Sequence, residues 1–470
     1  MRFLSGHGTA HDLYIALGLF LTLAVFAVRL LYNSSSALFF QSSLGIFILM
    51  IASYQRNLNK FSALLVFALP AMALSVKFGL GVVQLFMLLS LALPQVRAWY
   101  VQHFRTIAVI VVGFVGYFLV SLLRMQIFGQ GFNTLDGPSR LLFGLSCIGF
   151  VAFFKPSQRW FCWGLCVGAI GAGILALVQR FVFHIDRVEG FTHHPISFGD
   201  LALAMGLMAL CTLTEFRGTR WISLPWLAIS AGILASLLSG SRGGWLALPV
   251  VAWPLLHYGR ALHGKTMIWR LGFCLGFMVL VYAVPVTGVA LRVAEAVSDV
   301  QGYIDFNDAT TPVGIRLELW KASWLMFSEH PLIGVGRDQF DHALGQLAAQ
   351  GRLQASPALN YSSSHNDTLH FLATGGILDF SCLLLMYGGP CLFFVKILRQ
   401  KNDPRHMCAL MGLVLVLCFI AFGLTDVMFW LMIPKVFYVM MTSVLIGFCL
   451  VTQEQDRPTD ITAPRFISPP

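Results

Sequence analysis

Tyr361–Gly376 reads Y-S-S-S-H-N-D-T-L-H-F-L-A-T-G-G and marks the exit from the longest polar interval of an otherwise oily chain. That interval runs from about Arg292 to Asp367, and an apolar run follows it to Leu398. Ser364 and Asp367 have the S-x-x-D spacing of a capping box, which predicts a helix start and puts His365 in its first turn. There the positive end of the helix dipole disfavours imidazolium, so the ring is suited to accept a proton. A polar cap at a membrane surface explains the same residues without chemistry.

Outward from this stretch the chain is apolar on both sides. Of 470 residues, 57% are apolar and 11% charged, against about 25% charged in soluble domains. Apolar runs long enough to cross a bilayer recur throughout. The expected fold is an all-α polytopic integral membrane protein with 12–14 transmembrane helices and one large helical periplasmic loop. Fourteen candidate spans are Leu13–Leu30, Ala37–Tyr54, Phe61–Val76, Gly79–Pro94, Ile107–Leu123, Leu141–Phe154, Trp160–Val182, Ile196–Leu213, Trp221–Leu238, Trp245–Tyr258, Ile268–Leu291, Leu369–Leu398, Met407–Leu424 and Phe429–Val451. The first is too long, and too plainly followed by others, to be a cleaved signal peptide.

Placement of the net charge of +10 orients these spans. Basic clusters recur in alternate short loops: Arg56 and Lys60; Arg97, His103 and Arg105; Lys155 and Arg159; Arg217 and Arg220; Arg260, Lys265 and Arg270; Lys396, Arg399, Lys401 and Arg405. The positive-inside rule puts them in the cytoplasm with both chain ends, and turns the 292–367 interval outward. The expected division is a transmembrane bundle over 1–291, a helical loop over 292–367, C-terminal transmembrane helices over 368–452 and a polar, proline-bearing tail over 453–470. No basic soluble domain exists to bind nucleic acid. The ten cysteines lie in or beside apolar runs, and Cys162 and Cys166 read as small packing residues.

The outward loop carries its own signals. Thr311-Pro312 reads as an N-cap with proline in the first turn. Ile315, Leu319, Trp320, Ala322, Trp324 and Phe327 form an apolar stripe at helical spacing, which predicts an amphipathic helix lying on the membrane or over the bundle. His330-Pro331 ends it, Ile333-Gly-Val-Gly336 turns the chain, and Asp338–Gln350 reads as a second short helix.

Of the arginines outside the cytoplasmic clusters, Arg187, Arg242, Arg292 and Arg316 stand out. Arg242 sits in the glycine-rich turn S-G-S-R-G-G-W of residues 239–245. Two readings stand for it, a ligand-facing charge and an interfacial anchor beside a tryptophan. Guanidinium groups grip phosphate oxygens bidentately, so Arg187, Arg242 and Arg316 together would suit a lipid-linked pyrophosphate. His193 and His194, with no carboxylate cluster nearby, read as loop residues rather than metal ligands. Asp426 stands alone in the turn between the last two spans, to orient a histidine or an arginine or to cap a helix. Charges within spans are few, which counts against a transporter of lipid-linked glycan.

Taken in order, these residues resemble a family. Ser241-Arg-Gly-Gly-Trp-Leu246, His330-Pro-Leu-Ile-Gly-Val-Gly336, His365-Asn-Asp-Thr-Leu369 with Gly375-Gly376, and Arg187-x-x-Gly190 with Pro195 are similar to motifs of the O-antigen ligase and polymerase superfamily. The resemblance covers roughly Arg187 to Asp426. It implies a metal-independent, cofactor-free inverting glycosyltransferase of the Gram-negative inner membrane, multi-pass, with its active site facing the periplasm. The substrates implied are O-antigen on undecaprenyl pyrophosphate as donor and lipid A-core as acceptor, handled among membrane lipids. It further implies catalytic roles for His365, Arg316 and Arg242, pyrophosphate binding by Arg187, Arg242 and Arg316, and support from Asn366 and Asp426. O-antigen polymerase and protein O-oligosaccharyltransferase belong to the same superfamily, and Thr374 stands where many members carry a glutamate, which leaves the branch open.

Overall fold

The computed structural model describes residues 55–259, 289–306, 308–354 and 356–455. The expected spans Leu13–Leu30 and Ala37–Tyr54, nearly all of Ile268–Leu291, and the tail beyond Gln455 lie outside the described residues. Among the described residues every regular element is helical. In chain order the principal helices are α1 (Gln55–Met72), α2 (Gly79–Leu89), α3 (Pro94–Ile127), α4 (Asp136–Gly144), α5 (Ser146–Phe154), α6 (Gln158–Phe181), α7 (Pro195–Cys211), α8 (Leu224–Ser239), α9 (Ala247–Tyr258), α10 (Val289–Phe306), α11 (Pro312–Glu329), α12 (Phe340–Ala349), α13 (Asp367–Leu398), α14 (His406–Phe422) and α15 (Met432–Gln455).

The chain is a multi-pass membrane protein. Five helical stretches are long and apolar enough to span a bilayer: Pro94–Ile127, Phe132–Phe154, Gln158–Phe181, Asp367–Leu398 and Met432–Thr452. Their packing differs with position. The apolar window of α15 is 94% buried and that of α3 only 33%, so α15 is central and α3 peripheral. On α3, Val101, Phe104, Val109, Val112, Leu119, Leu123 and Ile127 are exposed. Such a face would be a liability in water and is ordinary against lipid. Inside the bundle, α1 and α6 approach closely at Gly164 and Gly168, where an added Cβ would meet the Phe67 and Pro70 carbonyls at 2.1 Å. Cys162 and Cys166 are buried and free on the same helix, as packing residues should be.

Three sequence expectations are corrected here. Arg97, His103 and Arg105 belong to no short loop: α3 starts at Pro94, and its 34 residues carry these basic side chains within the helix. Nor are buried charges confined to loops. Arg124 of α3 and Asp379 of α13 form a 2.7 Å ion pair, each 3% exposed, and Asp200 and Lys435 are also buried. The period-based reading sees Arg124 and Asp379 only as isolated charges, because the pair joins two distant helices. Finally, the apolar stripe on α11 is rotated from the expected one. Leu319, Ala322 and Met326 are buried, with Phe340, Leu344 and Leu347 of α12, in a small separate core, while Trp324 is exposed and packs on Phe327. The tryptophan's large apolar area was a poor guide to which side α12 covers.

The run 369–398 is one helix to hydropathy and two in structure. Gly376 has φ 62° and ψ −159°, which breaks α13. The backbone groups at the break find partners in the turn after α11. Val335 N and Gly336 N donate to the carbonyls of Ala373 and Thr374 (2.9 and 3.0 Å), while Ile377 N and Leu378 N donate to those of Pro331 and Leu332 (2.8 and 3.4 Å). Arg124 Nη1 adds a bond to the Thr374 carbonyl at 3.0 Å. Buried polar backbone is thereby satisfied at a point where a bilayer would otherwise forbid it. Gly334 must be small, since a Cβ there would lie 2.4 Å from Gly375 N.

Candidate functional site

His365 lies just before α13, outside it. Asn366, not Ser364, is the cap: its Oδ1 accepts from Leu369 N at 3.0 Å, and its backbone is extended. Ser364 Oγ instead donates to the Asn366 carbonyl at 2.9 Å. His365 takes φ 50°, a left-handed conformation uncommon for a side-chain-bearing residue. The S-x-x-D spacing therefore misplaces the helix start by two residues, and the expected first-turn dipole effect on His365 does not apply.

What holds the ring is a carboxylate. His365 Nδ1 is 3.2 Å from Asp426 Oδ1. Asp426 belongs to the turn between α14 and α15 and is 1% exposed, while the His365 side chain is 18% exposed. Burial pushes the Asp426 carboxyl up. The His365 hydrogen bond, the neighbouring His194 and His365 rings and the Val427 amide outweigh it, and hold the group below the usual carboxylate range. An ionised carboxylate only accepts, so Nδ1 of His365 donates to it, and in the neutral ring the lone pair is then on Nε2. Asn366 Nδ2 ties the same turn by donating to the Leu424 carbonyl at 3.2 Å. Tyr361 packs edge-on against the His365 ring at 5.3 Å.

His194 is the residue the sequence reading passed over. It caps α7 through Nδ1, which accepts from Ser197 N at 3.3 Å, and the same Nδ1 lies 3.8 Å from Asp426 Oδ2. That oxygen is buried without a hydrogen bond. A His-His pair has no motif that predicts this. The only signal was Pro195, which makes His194 the cap position of a following helix. His193, by contrast, is exposed. Among the described residues no three His, Cys, Asp or Glu side chains converge as metal ligands would.

The arginines reach this corner through their supporting turns. An added Cβ on Gly243 would lie 2.4 Å from Thr425 Oγ1, so the Arg242 turn packs directly against the turn of Asp426. Ser241 Oγ fixes that turn to α7 by donating to Asp200 Oδ1 at 2.6 Å. Arg242 itself is exposed. Arg187 Nε donates to the Ser239 carbonyl at 3.3 Å, which brings it to the same turn. Arg316 is half-buried on α11, one turn before Trp320, whose Nε1 donates to the Ser364 carbonyl at 3.1 Å. The segment before His365 is thus fastened to the helix that carries Arg316. The described part of the structure gathers Arg187, Arg242, His365, Asn366 and Asp426 through contacts between adjacent turns, and places Arg316 on the helix packed beside them. Of Arg292, singled out with these arginines in the sequence, only the backbone is described, within α10.

This corner brings an imidazole and its carboxylate partner beside the turns that carry Arg187 and Arg242. A relative in Haemophilus influenzae, itself an uncharacterized protein, is 27% identical over 309 residues, 65% of this chain and 77% of its own length. Residues 227–384 match a family model described as O-antigen ligase, a stretch that includes the Arg242 turn, α11, His365 and the break in α13. Over that stretch, about a third of the chain, the protein is similar to the O-antigen ligase family.

Proposed function

We propose that the protein is an O-antigen ligase, transferring O-antigen polysaccharide from undecaprenyl pyrophosphate to a sugar of the lipid A-core on the periplasmic side of the Gram-negative inner membrane. The observation that carries the reading is the His365–Asp426 pair at 3.2 Å beside the Arg242 turn. The acceptor hydroxyl gives its proton to His365 Nε2 while Asp426 holds Nδ1–H and stabilises the imidazolium that forms. The hydroxyl oxygen bonds to the anomeric carbon of the donor as the bond from that carbon to the pyrophosphate oxygen breaks. Attack from the face opposite the leaving group inverts the anomeric centre. Undecaprenyl pyrophosphate leaves as an anion and needs charge stabilisation rather than protonation, which Arg187, Arg242 and Arg316 supply. On this reading neither a metal nor ATP takes part, and transfer proceeds in excess chelator.

The lipopolysaccharide gel pattern of a deletion strain tests it. Loss of all banding above the core, with lipid-linked polymer accumulating, is the expected result. A core bearing a single repeat unit would identify a polymerase instead, and an unchanged ladder would remove the protein from this pathway.

A further inference from the structure

A second cationic centre lies apart from the His365 corner. Arg337 follows the glycine turn that zips into α13. Its guanidinium covers the Trp430 ring at 4.9 Å from the centroid, and Nη1 donates to Tyr117 Oη at 3.1 Å. Lys435, in the first turn of α15, is 1% exposed. Both cations converge on Gly137 at the start of α4. A Cβ placed there would lie 2.7 Å from Lys435 Nζ and 3.0 Å from Arg337 Nη2.

Among the described residues neither cation forms an ion pair. The carboxylates around them are engaged elsewhere: Asp136 with Arg140 at 3.0 Å, Asp379 with Arg124 at 2.7 Å, and Asp367 with Phe429 N and Tyr387 Oη at 3.2 and 3.1 Å. Two basic groups side by side without an ion pair, one of them buried, are unfavourable as cations unless an anion joins them. Gly137, with no side chain, lets the two basic groups approach one another over its Cα. The neighbouring loop supplies an apolar rim: Phe128 is 40% and Phe132 81% exposed, and Gln130 Nε2 of that loop lies 3.8 Å from where a Cβ of Gly336 would be. Trp430, which Arg337 covers, also packs on buried His370 at 4.9 Å.

We propose that Arg337 and Lys435 form a seat for the phosphate of an anionic membrane amphiphile, with the exposed phenylalanines against its acyl chains, separate from the arginines assigned to the donor pyrophosphate. Binding at this seat does not depend on the ligase reading and is tested without transfer.

Native mass spectrometry of the full chain in detergent, with dioleoyl phosphatidic acid, dioleoyl phosphatidylcholine and inorganic phosphate as probes, reads the seat directly. The wild type should retain phosphatidic acid over phosphatidylcholine. Arg337→Gln should weaken that retention by roughly tenfold, the scale of one lost charge-assisted hydrogen bond. Lys435→Met should weaken it similarly. Tyr117→Phe, which removes the hydroxyl touching Arg337 but no charge, should bind nearly as the wild type does. Equal retention of phosphatidic acid by the wild type and Arg337→Gln would overturn the seat. So would an equal loss in Tyr117→Phe, which would make the effect one of packing. Displacement of the lipid by equimolar inorganic phosphate would overturn the lipid as occupant.

Discussion

His365 Nδ1 and Asp426 Oδ1 lie 3.2 Å apart across 61 residues of sequence, joining the segment that leaves the loop to the turn between the last two helices. The pair fixes the ring's tautomer and its direction, which a helix-end position alone would not do. If Nε2 is the base, His365→Ala should leave the protein folded and donor-binding but lower transfer by about 10²–10⁴. Asp426→Asn should fall nearly as far, because an amide can donate to Nδ1 and favour the wrong tautomer. His194→Ala should lose only about fivefold, the scale of one neutral hydrogen bond. Turnover of purified variants with lipid-linked donor measures all three. A His365→Ala enzyme that keeps most of its rate would move the base elsewhere.

The pH profile reports on Asp426. Asp426 is held below the usual carboxylate range, so it stays ionised through the acid side of any practical profile. Its stabilising contribution is complete above the ordinary carboxylate pKa and is lost only as pH falls through its own, lower value. Loss of activity that sets in only at strongly acid pH, and that is absent from the residual rate of Asp426→Asn, is therefore the expected mark of this carboxylate. Persistence of that loss in the asparagine variant would assign it to another group.

Arg242 and Arg316 should not tolerate lysine. An ammonium is a point charge and cannot reproduce a bidentate grip on a pyrophosphate. Loss of one such contact corresponds to roughly 10²–10³ in rate when it acts on developing charge. Both variants should express and insert, since Arg242 is exposed and Arg316 only half-buried. Normal lipopolysaccharide from both lysine strains would reduce these residues to interfacial anchors.

Glycine substitutions should differ in sign. Gly334 and Gly376 have φ of 65° and 62°, and a Cβ on either would press into backbone 2.4 Å away. Alanine at either should destabilise by about 1–3 kcal/mol or more. Gly345, inside α12 with nothing within 4 Å of an added Cβ, should instead gain up to about 1 kcal/mol as alanine. Thermal unfolding in detergent reads both. A Gly334→Ala protein as stable as the parent would mean that the turn relaxes away from α13.

Hydropathy and the Thr311-Pro312 signal were enough to read the helical class and the start of α11, where Thr311 Oγ1 accepts from Gly314 N at 3.0 Å. Those are local properties. The Arg124–Asp379 pair, the approach of His194 to Asp426 and the meeting of Arg337 with Lys435 are not, since each joins helices far apart in sequence. Ser364 shows the converse error. A capping pattern was present, but Asn366 was a better cap two residues on, and spacing alone does not rank competing caps. The break at Gly376 was visible only as Gly375-Gly376. Its meaning depends on a partner strand of backbone some forty residues earlier.

That partnership has a consequence for how the gene can change length. Four main-chain bonds tie 331–336 to 373–378 in two pairs. An insertion or deletion of one residue within either stretch moves one pair relative to the other and strands buried amides and carbonyls. Between them, Gly345 and Gly351 lie open, and the chain around Gln350 is exposed. Extra residues at the turn around Gln350 need only lengthen a surface loop, whose entropy grows slowly with size. The two glycine motifs thus behave as one unit of sequence, and the exposed turn after α12 is where this chain is free to grow or shrink.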